Sequence, residues 1–247
     1  MKIDHIIFDF DGTLTDMEAK TELYHRDYAK AFSDGTGLPL DDVIAHAHII
    51  REEIKRAPET IWFNEGSPVA LANSCLTLQN DHTYKLLFER VLRGEIMAGH
   101  DPTLLPSDPK PFFFALFKDV FYALEEVFRP DIDLFIDNIA NYTQGAAIVT
   151  NSSAEIVHKK LGIKDVYNIE VIGGARKDFV YPDFADVPPT MRPVGFPQDV
   201  QLRRRDYHTI LTDLDSRGFT PERTAVVGDN FEFDLALIFF SHFSGCF

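Results

Sequence analysis

A short apolar run, Ile6-Ile7-Phe8, leads straight into two acids one residue apart, Asp9 and Asp11, in the stretch IIFDFDGTLTD. Charge at the end of a buried strand is costly, so the fold must give that strand end a purpose. Two further runs stop in the same manner. GAAIVTNSS (145–153) ends in Thr150-Asn151-Ser152, and TAVVG (224–228) ends in Gly228-Asp229-Asn230, with Asp234 five residues after Asp229. Residues 166–173 (VYNIEVIG) read as another strand, and helical segments are expected at 154–161, 203–217 and 231–240. Strands that alternate with helices predict an α/β, Rossmann-like parallel sheet. In such sheets ligands bind at the carboxyl ends of the strands, where these polar residues lie.

Between the first two strands the pattern is helical. Segments 17–33, 41–57, 67–79 and 81–93 read as helices, the second stopped by Pro58 and the fourth closed by Gly94. A loop rich in Pro and Asp (100–111) precedes FFFALFKDVFYALEEVF (112–128), which has the character of a buried helix ended by Pro130; 132–142 is helical too. The expected organisation is a core of residues 1–15 and 141–247 with a helical subdomain at 16–140. A Pro-rich excursion occupies 175–200. After Asp234, LALIFFSHFSGCF leaves little room for a further strand. A missing edge strand would bare Ile238-Phe239-Phe240 and predicts weak oligomerisation or poor solubility.

The strand ends, taken in order, resemble the motifs of the haloacid dehalogenase superfamily, in the phosphatase branch with a helical cap between motifs one and two. The first motif, DxDGT, is matched by Asp9-Phe10-Asp11-Gly12-Thr13, the second by Thr150, and the fourth, an acidic GD…D, by Gly228, Asp229 and Asp234. The resemblance covers residues 3–15 and about 145–240. It implies a Mg²⁺-dependent phosphohydrolase that acts on a small phosphorylated metabolite through an aspartyl-phosphate. Asp9 is then the nucleophile, since an Asp carboxylate can attack phosphorus. The metal is expected on Asp9, on the backbone carbonyl of Asp11 and on Asp229, with Asp234 and Asn230 in support. Mg²⁺ allows the nucleophile and the phosphate, both anionic, to approach.

By the same resemblance Asp11 is the general acid and base, and Gly12 permits the turn that sets it beside the reacting phosphorus. Thr150, with the amides of Asn151 and Ser152, would hold phosphoryl oxygens where a helix opens. The third motif is a Lys. Lys177 in GGARKDF is favoured over the Arg203-Arg204-Arg205 run, and Arg176 could assist. Asp11 argues against a dehalogenase, which would not need a second acid. Phosphatase and phosphomutase are not separated, and the displaced Lys leaves an idle scaffold as a further alternative. The inserted block carries no motif that names a substrate.

The net charge of −15, from 24 basic and 39 acidic side chains, excludes a general affinity for nucleic acid or anionic membranes. It also means that a phosphorylated substrate needs a local positive site. The triple Arg reads as a solvated face or a set of salt bridges. Two cysteines, Cys75 and Cys246, make no disulfide framework, and no run has the character of a signal peptide or a membrane span; a cytoplasmic protein is expected.

Overall fold

A computed structural model describes residues 3–97, 100–130, 132–162 and 169–244. Cys246 and residues 166–168 of the expected strand lie outside the described residues. In chain order the elements begin with β1 (His5–Phe8), α1 (Thr21–Thr36) and α2 (Leu40–Arg56). The hairpin β2 (Ile61–Asn64) and β3 (Ser67–Leu71) follows, then α3 (Leu76–Leu92), α4 (Pro109–Phe121) and α5 (Ile132–Tyr142). The remainder is β4 (Gly145–Val149), α6 (Ala154–Leu161), β5 (Ile169–Ile172), β6 (Thr190–Met191), β7 (Val200–Gln201), α7 (Arg205–Ser216), β8 (Thr224–Val227) and α8 (Ala236–Ser244).

The chain divides into two compact units. One comprises Met1–Asp16, Phe63–Ala70 and Glu126–Phe247; the other comprises Met17–Trp62 and Leu71–Glu125. The first is built on a parallel sheet of order β5-β4-β1-β8. Ile7 pairs with Ala147 on one side and Val226 on the other. Successive side chains of a strand face opposite ways, so Ile7 joins Ala147, Val149, Tyr207, Leu214 and Leu237 in one core, and Phe8 joins Ile148, Val157 and Ile139 in another. Because both faces are covered, β1, β4 and β8 are apolar inside and their polar residues fall at the ends, whereas β5 carries exposed Glu170. The excursion after β5 includes the antiparallel pair β6 and β7 and is fastened by Phe196, whose ring lies 4.7 Å from that of Phe231.

The helical unit is packed by rings at helical spacing. Tyr24, Tyr28 and Phe32 recur every fourth residue along α1 and are fully buried. Tyr84 of α3 lies 4.7 Å from the ring of Tyr28 and 5.0 Å from that of Phe32, and Phe113 of α4 lies 5.7 Å from Phe88. Among the described residues no helix is long and apolar enough to cross a membrane.

Several expected elements differ. Residues 67–79, expected as a helix, open with strand β3, because Glu65 and Gly66 both take left-handed backbone, φ 49° and 80°, and fold IWFN onto SPVAL as a hairpin. Helix α3 then starts at Leu76 and runs through residues 81–92 without a break. The helix expected at 112–128 begins earlier, at Pro109, behind the Asp108 cap, and ends at Phe121; Phe114 on it is 70% exposed, so it is not buried all round. Residues 231–235 form a π-helical turn before α8. Ile238 and Phe240 pack partly against the core, while Phe239 stays 41% exposed.

Candidate active site

The ends of β1 and β8 are stitched together, since the Asp9 N–H donates to the carbonyl of Val227 at 2.9 Å. The chain then turns at Gly12, φ 85°, where a Cβ would come within 2.2 Å of Asp229 Oδ2. Only glycine suits both the backbone angle and the approach. Arg129, just before α5, donates from Nη2 to the Gly12 carbonyl at 2.6 Å and from Nε to the Thr13 carbonyl at 2.9 Å. The π-helical turn brings Asp234 back toward this loop. Its Oδ2 accepts the Asn230 N–H at 3.1 Å, and Asn230 Oδ1 caps the turn by accepting the Phe233 N–H at 3.1 Å. Extra-wide turns of this kind often re-aim side chains at sites.

Lys177 closes the cluster. Its ammonium is 3% exposed and donates to Asp9 Oδ1 at 2.8 Å and to Asp234 Oδ1 at 2.6 Å. Burial acts to lower its pKa, but the charges of Asp234 and Asp9 outweigh burial and hold the ammonium above its ordinary range. Asp9, Asp229 and Asp234 each offer an oxygen, and these oxygens lie within 4.8 Å of one another. With one ammonium among several acids, negative charge is in excess. Burial raises Asp9 above the usual carboxylate range, Lys177 pulls it down, and Asp234 and Asp11 push it up. Asp229 is pushed up to about 6, first by loss of hydration and then by Asp234. An all-oxygen donor set with surplus negative charge fits a hard divalent cation such as Mg²⁺.

The second strand end faces Asp11. Ser152 Oγ donates to Asp11 Oδ2 at 2.7 Å, and the Ser152 N–H donates to Thr150 Oγ1 at 3.1 Å. Thr150 and Ser152 are both buried, and Ser153 caps α6 by accepting the Ile156 N–H at 3.3 Å. The Asn151 side chain turns the other way, accepting the Lys177 N–H at 2.7 Å and donating to Asp178 Oδ1 at 3.1 Å.

Of the two third-motif candidates, Lys177 meets Asp9 and the Arg run does not. Arg203 donates to the carbonyls of Pro182 and Val187, and the Arg205 guanidinium lies 4.1 Å from the Tyr181 ring. Arg204 is buried and donates to the carbonyls of Lys177 and, at 2.9 Å, Val69. Arg176 stacks on Phe179 at 4.0 Å and meets Asp206 at 3.3 Å rather than reaching the cluster. Sequence reasoning missed Arg129, Asp178 and Tyr207, whose hydroxyl donates to the Asp234 carbonyl at 2.9 Å. Two of them act on backbone carbonyls and Asp178 on side-chain amides. No motif marks such contacts in advance.

A model of the haloacid dehalogenase-like hydrolases matches residues 3–238. Among solved structures, the chain is similar to the HAD-hydrolase YfnB of Bacillus subtilis bound to magnesium, with 16% identity over 98% of this chain and 86% of that one, at a TM-score of 0.52. It also matches a HAD phosphatase of Thermococcus onnurineus, with 15% identity over 96% of this chain and 81% of that one and a TM-score of 0.46. A 2-haloacid dehalogenase of Pseudomonas syringae matches with 16% identity over 97% and 83%, at 0.42. No curated protein matches the chain. At 16% identity the likeness to YfnB is one of fold. The family rests on the model, which runs from the first strand into the last helix: the chain belongs to the haloacid dehalogenase-like hydrolases.

Proposed function

We propose that this hydrolase is a Mg²⁺-dependent phosphatase that acts on a small phosphorylated metabolite through an aspartyl-phosphate on Asp9. One observation carries the reading: two acids two positions apart have different partners. Asp9 faces the Lys177 ammonium at 2.8 Å, whereas Asp11 accepts a hydrogen bond from the Ser152 hydroxyl at 2.7 Å. Separate environments let two carboxyl groups take separate roles.

On this reading Asp9 attacks phosphorus and the ester P–O bond breaks, while Asp11 gives its proton to the leaving oxygen. Asp11 then takes a proton from water. That water attacks phosphorus, frees Asp9 and releases inorganic phosphate. Thr150, with the backbone amides of Asn151 and Ser152, holds the phosphoryl oxygens, and Lys177 stabilises the charge between phosphate and Asp9. Asp9, Asp229 and the Asp11 carbonyl would hold Mg²⁺, with Asp234, fixed by Asn230, in support. When bound, the ion supplies the positive charge that an acidic chain lacks at its phosphate site. A carboxyl group at Asp11 speaks against dehalogenation, which needs the nucleophile alone. Substrate choice is assigned to the helical insert.

The test is a panel of phosphorylated metabolites with Mg²⁺. Wild type should release phosphate from at least one. Asp11→Asn should lose about 10²- to 10⁴-fold in kcat, and Asp9→Asn should fall to background. Release from none, or an active Asp9→Asn, overturns the mechanism.

A further inference from the structure

Lys177 is held by its backbone as well as by its ammonium. Its N–H donates to Asn151 Oδ1 at 2.7 Å, and its carbonyl accepts from Arg204 Nη1. The residue before it, Arg176, has left-handed backbone, φ 49°, which a non-glycine residue adopts only when its surroundings enforce it. The enforcement is visible in the Phe179 ring 4.0 Å under its guanidinium and in Asp206 at 3.3 Å.

Both backbone holds lead to one place, the tip of the β2–β3 hairpin at Phe63–Ala70. Arg204 reaches Lys177 with one amino group and the Val69 carbonyl with the other, at 2.9 Å. Asp178 accepts from Asn151 Nδ2 at 3.1 Å on one oxygen and from Asn64 Nδ2 at 3.2 Å on the other, and the same Asn64 amide reaches the Asp178 carbonyl at 3.2 Å. A guanidinium that is 1% exposed and donates to two backbone carbonyls is an expensive way to tie two loops. Burial brings its pKa down to about 10, although Glu232, Asp178 and Asp234 act to raise it, so it remains charged near neutrality.

We infer that the hairpin tip, through Asn64, Asp178 and Arg204, sets the position of Lys177 between Asp9 and Asp234. Asn64, Asp178 and Arg204 are positioning residues: none of them meets the nucleophile, and each acts through the loop that carries the lysine. A lysine that must reach two carboxylates at once tolerates little displacement, and a shift of about 1 Å at a reacting group can lower a rate about 10²-fold. The hairpin thereby joins a segment of the helical insert's sequence to the phosphate-site loop. The inference rests on the proposed role of Lys177 in hydrolysis.

The experiment measures amide hydrogen exchange at Lys177 in wild type, Asn64→Ala, Asp178→Ala and a control, Asn138→Ala, whose side chain makes an exposed bond on α5. Asn64→Ala and Asp178→Ala should speed exchange at the Lys177 N–H about tenfold, as expected for losing about one net hydrogen bond, while amides of β1 and β4 keep their wild-type rates. With p-nitrophenyl phosphate and Mg²⁺, both variants should lose kcat with KM little changed, and Asn138→Ala should match wild type. Arg204→Lys should behave like the hairpin variants, because an ammonium cannot fork to two carbonyls. Unchanged exchange at Lys177 in both hairpin variants overturns the inference. So does an acceleration shared equally with β1 and β4, which marks a loss of stability only. If wild type hydrolyses nothing, the exchange result still decides whether the hairpin positions the lysine, and the failure falls on the phosphatase reading alone.

Discussion

The two units of the molecule differ in which buried polar groups dominate. In the sheet unit the two largest buried cations reach partners across long stretches of sequence: Lys177 meets Asp9, 168 positions away, and Arg204 the Val69 carbonyl, 135 away. In the helical unit the largest buried polar side chains are neutral tyrosines, and Lys20, Asn80 and Thr83 are buried as well. Tyr24, Tyr28 and Tyr84 are at most 1% exposed, and burial first of all pushes all three hydroxyls up, so they stay protonated. A buried ion demands a partner at one position and one distance. A tyrosine in an aromatic core demands mainly volume and helical spacing. The sheet unit should therefore fail sharply at a few positions, and the helical unit should yield gradually at many.

The sharpest failure is expected at Lys177. Lys177→Met leaves Asp9 and Asp234 facing each other without their cation, and breaking a buried pair costs about 3–5 kcal/mol. Urea unfolding of metal-free protein should show that loss, and excess Mg²⁺ should restore part of it by supplying positive charge; recovery by Mg²⁺ equal in wild type and variant would count against the charge-surplus account. Gly12→Ala should follow, at about 2 kcal/mol or more. It adds the cost of left-handed backbone to a Cβ placed 2.2 Å from Asp229 Oδ2, and it should weaken Mg²⁺ binding measured by calorimetry. In the helical unit Phe32→Leu, a change of shape in a fully buried ring, should cost about 1.5 kcal/mol or less and leave Mg²⁺ affinity intact. Should Phe32→Leu prove as damaging as Lys177→Met, the contrast between the units is wrong.

The same contrast explains what was legible in the sequence. Asp9, Thr150 and Asp229 each follow an apolar run, and a parallel sheet covered on both faces forces polar residues to the strand ends, so order along the chain foretold proximity in space. Lys177 was harder to place, because it stands on a loop and its partner is remote; the resemblance called for a Lys, and its place shortly after the third strand favoured it over the Arg run. Arg129 and Arg204 could not be read, since they bind carbonyls that every residue possesses. In the helical unit the composition of residues 17–33 sufficed for the helical reading of α1, but the apolar residues of SPVAL (67–71) suit either state and fell within an expected helix. The turn at Asn64-Glu65-Gly66 was the signal that could have corrected it.

The smallest expected effect has opposite signs in the two units. In metal-free protein Asp229 is held up at about 6, and Asp9 and Asp178 shift the same way, mainly through burial. An acid whose folded pKa exceeds its unfolded value of 3.8 binds protons more tightly when folded. Its contribution is fully present below that unfolded value and is lost as pH rises through about 6, so the sheet unit gains stability on mild acidification. His25 in α1 runs the other way. Loss of hydration, then Arg51 and Lys55, bring it down from 6.5 to about 4, and burial likewise lowers His82. Its contribution is full above 6.5 and fades as pH falls toward 4, because the unfolded chain takes up the proton first. The single tryptophan, Trp62, belongs to the helical unit, so its fluorescence follows that unit, while amide exchange in β1 and β4 follows the sheet. Between pH 7 and 4.5 the Trp62 unfolding midpoint should fall while protection in β1 and β4 holds or rises. His25→Gln should flatten the first response and Asp229→Asn the second. Mg²⁺ should flatten the second as well, since a cation bound at Asp229 draws its pKa back down. If both probes move together and His25→Gln changes neither, proton linkage does not distinguish the two units.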